Sequence, residues 1–172
     1  MSGHNGYGDV AKADRFTANA GDQLTQVSYF FAIAKQVAGS ATVEAKVWDA
    51  DGAGGSPNTE LASQSLQLSA LVNAVSNNNN FITVVFQNPV SLNGDFYAGI
   101  EFTYANGDTI ALATNTDGNT NPGTAWEKWD DGSWNDYSTS WGLDLAHVIL
   151  PVVCEPSSTT NPPVADFSSN LN

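Results

Sequence analysis

The chain has 172 residues, 41% of them hydrophobic, and its 18 acidic residues against 5 Lys and Arg give a formal net charge of −13. That apolar content supports one domain with a real core and excludes a disordered chain. The acidic excess excludes nucleic acid and anionic lipid as partners, because both are held by Lys and Arg. No apolar run reaches the length of a membrane span, so no membrane insertion is expected.

Met1-Ser2-Gly3-His4 leads straight into domain-like sequence with no signal-peptide pattern, which reads as a start codon placed on a piece of a longer protein. The elements that follow repeat with a period of two. From Gln23, QLTQVSYFFAIA sets Leu24, Val27, Tyr29, Phe31 and Ile33 in a strand pattern. ATVEAKVWDA alternates Val43, Ala45 and Val47 with Glu44, Lys46 and Trp48, which turns Trp48 away from the valine set.

Next comes DADGAGGSPNTE, Asp49 to Glu60, with acids at its first, third and twelfth positions and glycine at its sixth, the spacing of an EF-hand loop. Ala53 stands where a fifth-position ligand belongs, and the flanks are strands. Hard oxygens on a Gly-rich loop suit Ca2+, with Asp49, Asp51 and Glu60 as the candidate metal ligands. The competing reading is an inter-strand loop whose aspartates cap turns.

SALVNAV, Ser69 to Val75, is the only helical candidate, one or two turns long. FITVVF (Phe81 to Phe86), FYAGIEFTY (Phe96 to Tyr104) and TIALAT (Thr109 to Thr114) are strands bounded by Asn, Gly, Pro or Asp. Asn106-Gly107 between the last two predicts a tight hairpin and a register-fixed pair. Asp117-Gly118 fits a turn, and the loop around it also offers oxygen ligands at alternating positions.

Thr124 to Trp141, TAWEKWDDGSWNDYSTSW, holds four of the five tryptophans. It predicts a hairpin turning at Asp130-Asp131-Gly132 with Trp126, Trp129 and Trp134 on its arms and Tyr137 just beyond. Cross-strand packing accounts for some of these rings. The remainder suit sugar stacking, in which flat aromatic faces meet the apolar faces of pyranose rings and carboxylates take the hydroxyls. The candidate ligand-binding set is therefore Trp126, Trp129, Trp134, Tyr137, Trp141, Glu127 and Asp131.

LDLAHVILPVV, Leu143 to Val153, closes the domain as a long apolar strand that carries His147; Cys154 follows without an internal partner. EPSSTTNPP, residues 155–163, reads as a Pro/Ser/Thr-rich linker. Together these strands, with turn signals every 8 to 15 residues or so, describe an all-β fold: a two-sheet antiparallel β-sandwich, jelly-roll-like, over residues 1–154.

PPVADFSSN, Pro162 to Asn170, resembles the first strand of a PKD-type domain, so residues 164–172 are expected to begin one. KVWDADGAGGSPNTELASQSL, FYAGIEF with GDTIAL, and NTDGNTNPGTAWEKWDDGSW resemble in order a β-sandwich accessory module of large secreted Bacteroidetes proteins. That resemblance implies a secreted or cell-surface setting, neighbouring domains in the same chain, and no catalysis; it carries no ligand residues with it. Consistently, no HExxH, GxSxG, Cys-His pairing or phosphate-cradling glycine loop occurs. The functional expectation is a noncatalytic module that binds polysaccharide or glycan, with a structural spacer or protein-interaction module as the alternative.

Overall fold

A computed structural model describes residues 1–3, 7–103, 105–119 and 121–156. The expected PKD-like start, and all of the linker beyond Pro156, lie outside the described residues. In chain order the elements are β1 (Ser2–Gly3), β2 (Ala11–Thr17), β3 (Gln23–Lys35), β4 (Val43–Asp49), β5 (Glu60–Leu66), α1 (Leu68–Ser76), β6 (Phe81–Ser91), β7 (Asp95–Phe102), β8 (Thr109–Leu112), β9 (Ala125–Lys128), β10 (Trp134–Asp136), α2 (Tyr137–Trp141) and β11 (Ile149–Cys154).

They form the expected two-sheet antiparallel sandwich. One sheet runs β1-β8-β3-β11 with β6 also paired to β3, and the other runs β10-β9-β2-β7-β4-β5. The core between them collects the inward set of each alternating strand: Leu24, Val27, Tyr29 and Phe31 from β3, Val43, Ala45 and Val47 from β4, and Phe96, Ala98, Ile100 and Phe102 from β7. The three-residue step from Leu24 to Val27 stays on one face because β3 shifts register against β6 between Leu24 and Gln26.

Three elements depart from the sequence pattern. β2 was not legible as a strand, since its inward residues include Lys12 and Asp14 in place of an apolar set. Asn106-Gly107 does turn the chain, with Gly107 at φ 85. It makes no hairpin, however, because β7 and β8 lie in different sheets. Asp108 fixes that crossover: its carboxylate accepts from the backbone N–H groups of Val37 (2.5 Å), Ala38 (2.9 Å), Gly39 and Ala41. These donors, Val37 foremost, bring the Asp108 pKa down to about 2 against the opposing effect of burial.

The third departure lies near the end of the domain. The last strand starts at Ile149, not Leu143, and Tyr137–Trp141, just beyond the hairpin, is a short helix where the sequence offered Ser69 to Val75 as its only helical candidate. Asp136 caps that helix by accepting from Thr139 N at 2.9 Å, and Gly142 ends it in the left-handed region at φ 67.

Candidate functional site: an aromatic-edged cleft over a buried ion cluster

β2 pairs Lys12 with Ile100 of β7 on one side and Glu127 of β9 on the other. Strand alternation therefore places Lys12 and Glu127 on the inward face, where Lys12 is 1% exposed. The Lys12 ammonium donates to Glu127 Oε2 at 2.8 Å, to Tyr137 Oη at 3.0 Å and to the Asp9 carboxylate. The other Glu127 oxygen, Oε1, accepts from Trp129 Nε1 at 2.8 Å and Trp141 Nε1 at 2.7 Å. Tyr137 Oη is in turn hydrogen-bonded to Ser2 Oγ.

Burial opposes ionisation throughout this cluster, but the pairing overrides it for two members. Glu127 is brought down to about 2 by its bonds from Lys12, Trp129 and Trp141. Lys12 is held above the ordinary lysine range by Tyr137, Asp9 and Glu127. Burial wins at Tyr137, whose hydroxyl is pushed up to about 12. A second inward pair lies nearby: Asp14 Oδ1 meets His147 Nδ1 at 2.6 Å, and the His147 ring packs edge-on against Tyr137 at 5.8 Å. Burial raises the Asp14 pKa against the opposing pull of His147.

Above the Lys12 cluster opens a cleft of about 410 Å³. Lys12, Glu127 and Tyr137 form its floor, and Ile33, Ala111, Leu143 and Leu145 contribute apolar wall. Tyr7 and Trp141 edge its solvent side, 74% and 46% exposed, with ring centroids 5.6 Å apart. Trp129 packs against Trp141 with ring centroids 6.5 Å apart.

The sequence-derived ligand set thus divides. Trp141, Tyr137 and Glu127 line the cleft, and Trp129 packs beside Trp141 and shares the Glu127 oxygen with it. Trp126 and Trp134 do not: they pack on the outer face of the six-stranded sheet, with Ala13, Trp48 and Tyr97. There Trp126 meets Tyr97 edge-on at 5.6 Å and donates to Gly123 O, while Trp134 meets Trp48 edge-on at 5.2 Å. Ala13 and Gly99 face each other across β2 and β7, where a Cβ on Gly99 would collide with Lys12 O and Ala13, so the glycine lets the two strands approach closely. Asp131 stays at the hairpin turn and accepts from Ser133 N at 2.8 Å.

Sequence reasoning missed Lys12, Asp9 and Tyr7. Lys12 carried no local signal: it is flanked by Ala11 and Ala13, and only the structure shows that both are fully buried.

The candidate metal loop is organised around other partners. Asp49 Oδ1 accepts from Ala50 N, and Asp51 accepts from Thr59 N at 2.8 Å and Thr59 Oγ1 at 2.6 Å. Glu60 pairs with Lys46 at 3.0 Å. Among the described residues no three His, Cys, Asp or Glu side chains gather as a metal site. In the second loop, Asp117 accepts from Asp144 N and Asn115 from Ala146 N, so both side chains tie the loop to the segment before β11.

No protein-family model matches the chain, and no curated protein does. Two solved structures resemble it in fold. One is the crystal structure of the cysteine protease and lectin-like domains of Cwp84, a surface layer associated protein of Clostridium difficile, at 18% identity and a TM-score of 0.57 over 86% of this chain. The other is the clostridial cysteine protease Cwp84 after propeptide cleavage, at 17% identity and a TM-score of 0.60 over 90% of this chain. The chain spans about a third of the length of either, 32% and 38%. At these identities the likeness shows the fold alone.

Proposed function

We propose that this sandwich is a noncatalytic accessory module that binds a glycan in the cleft edged by Tyr7 and Trp141. It would serve a secreted or cell-surface chain that carries further domains. The observation that carries this reading is the exposed Trp141, whose indole N–H is fixed by a buried carboxylate beside a cleft of ligand size. A ring held in place by its polar edge loses little freedom when a sugar stacks on its face, and preorganisation of that kind favours binding. The likeness to a chain with a lectin-like domain agrees with it.

The ion cluster argues for binding over chemistry. Lys12 is locked as the ammonium, and Glu127 as the carboxylate, so neither is poised to exchange a proton near neutral pH. The test is a screen of the chain against insoluble polysaccharides and a glycan array, repeated with Trp141→Ala. Binding lost in the variant with its melt preserved supports the reading; a blank with the wild-type chain overturns it.

A second reading, a spacer or protein-interaction module, is favoured by a different surface. On the outward face of β6, β3 and β11, Val85 and Val152 flank Gln26, and Leu150 and Thr83 flank Ser28. Val85, Leu150, Val152 and Phe81 are 61%, 51%, 41% and 42% exposed. Four large exposed apolar side chains on one face, set around the polar Gln26, Ser28 and Thr83, suit contact with another protein or a neighbouring domain.

A further inference from the structure

We propose that the cleft takes a terminal, uncharged sugar bearing a methyl-carrying substituent: the acetamido group of an N-acetylated hexosamine or the methyl of a 6-deoxy hexose. This rests on the glycan reading and narrows it to a ligand class.

Charge is the first argument. All three hydrogens of the Lys12 ammonium are committed, to Asp9, Glu127 and Tyr137. No lysine donor is left at the floor for a uronate or a sulfated sugar. Both oxygens of Glu127 are likewise occupied, by Lys12 on one side and by two indoles on the other. No bare carboxylate therefore awaits an amino sugar. The α-ammonium of Met1 bonds Thr114 Oγ1 at 2.8 Å in an exposed position, where water screens it.

The wall supplies the second argument. The side chains of Ile33, Ala111, Leu143 and Leu145 present only hydrocarbon along one wall, and the hydroxyl-bearing residues, Ser2, Tyr7, Thr109, Thr114 and Tyr137, make up other parts of the lining. A hexose hydroxyl pressed on such a wall loses its water without gaining a partner. A methyl group in the same place gains. Size completes the case: about 410 Å³ lies near the lower end of small-molecule sites, which suits the end of a glycan chain better than its middle.

The experiment is titration calorimetry of the full chain with four methyl glycosides: N-acetylglucosaminide, fucoside, glucoside and glucuronide. At least one of the first two should bind about tenfold more tightly than the glucoside, the usual discrimination for one methyl group in an apolar pocket. The glucuronide should bind no better than the glucoside. Which of the first two leads separates the acetamido from the 6-deoxy source.

Leu143→Asn, checked for an intact fold by near-ultraviolet circular dichroism, should reduce that preference to about twofold or less. An equal affinity for glucoside or glucuronide overturns the proposal, as does a preference that survives Leu143→Asn unchanged. Binding to a polysaccharide without binding to any of the four glycosides overturns this inference while leaving the glycan reading intact. A blank with both glycosides and polysaccharides removes both.

Discussion

Glu127 shows how one buried carboxylate can serve several neighbours. Lys12 neutralises it, and its second oxygen holds two tryptophans, so its removal uncovers a buried ammonium and frees both indoles. Glu127→Ala is expected to lose about 3–5 kcal/mol, the usual result of leaving one partner of a buried pair behind. Its tryptophan emission should shift to the red. Glu127→Gln keeps an acceptor for an indole and should fall between the variant and wild type; urea melts with fluorescence detection read all three.

The acid dependence follows from the same group. Its pKa falls from 4.5 to about 2 on folding, so its contribution is full above pH 4.5 and disappears as pH drops toward 2. Urea melts at pH 7, 4 and 3 should show that decline in wild type and a flatter profile in Glu127→Gln.

Among the elements, the β9–β10 hairpin and α2 divide the aromatic side chains between two tasks. Trp134 belongs to packing on Trp48, and Trp141, carried by the capped helix, belongs to the cleft. Trp134→Ala should cost about 2 kcal/mol or more and leave ligand binding in place. Trp141→Ala should cost about 1 kcal/mol, one hydrogen bond and a half-exposed ring, and abolish binding. Equal thermal shifts for the two would deny this division. The Asp49–Glu60 loop is held by Thr59 and Lys46. The chain's melt in excess calcium should match its melt in chelator within about 1 °C, and a clear rise with calcium that Asp51→Ala removes would place the ion on that loop.

For the molecule as a whole, the uneven sandwich is the main feature. Its interior is apolar through β3, β4 and β7 and turns ionic toward β9, where Lys12, Asp14, Glu127 and His147 lie between or beside the sheets. Such groups are retained at a cost that an apolar core would not carry, and functional sites are where that is expected. The outward face of β6, β3 and β11 is the opposite case, with large apolar side chains exposed to water around a polar row from β3. Val85→Glu and Leu150→Lys there should each leave stability within about 0.5 kcal/mol, because the side chains are exposed in the folded chain. Thermal melts check this. Larger losses would mean that the face is covered in solution.

The sequence by itself determined the all-β class, the two-sheet sandwich, and the inward sets of β3 and β4, because period-two alternation is local and survives in the linear order of residues. It also supplied three of the cleft residues, Tyr137, Trp141 and Glu127, with Trp129 beside them, since they stand close together in the chain. Tertiary structure alone decided that Asn106-Gly107 joins two sheets, that Trp126 and Trp134 turn to the outer face, and that Tyr7 meets Trp141. Above all it decided the partner of Lys12, 115 positions from Glu127 in the chain. Strand pairing brings those two together, and no local pattern of charge or hydropathy encodes which distant strand will lie alongside.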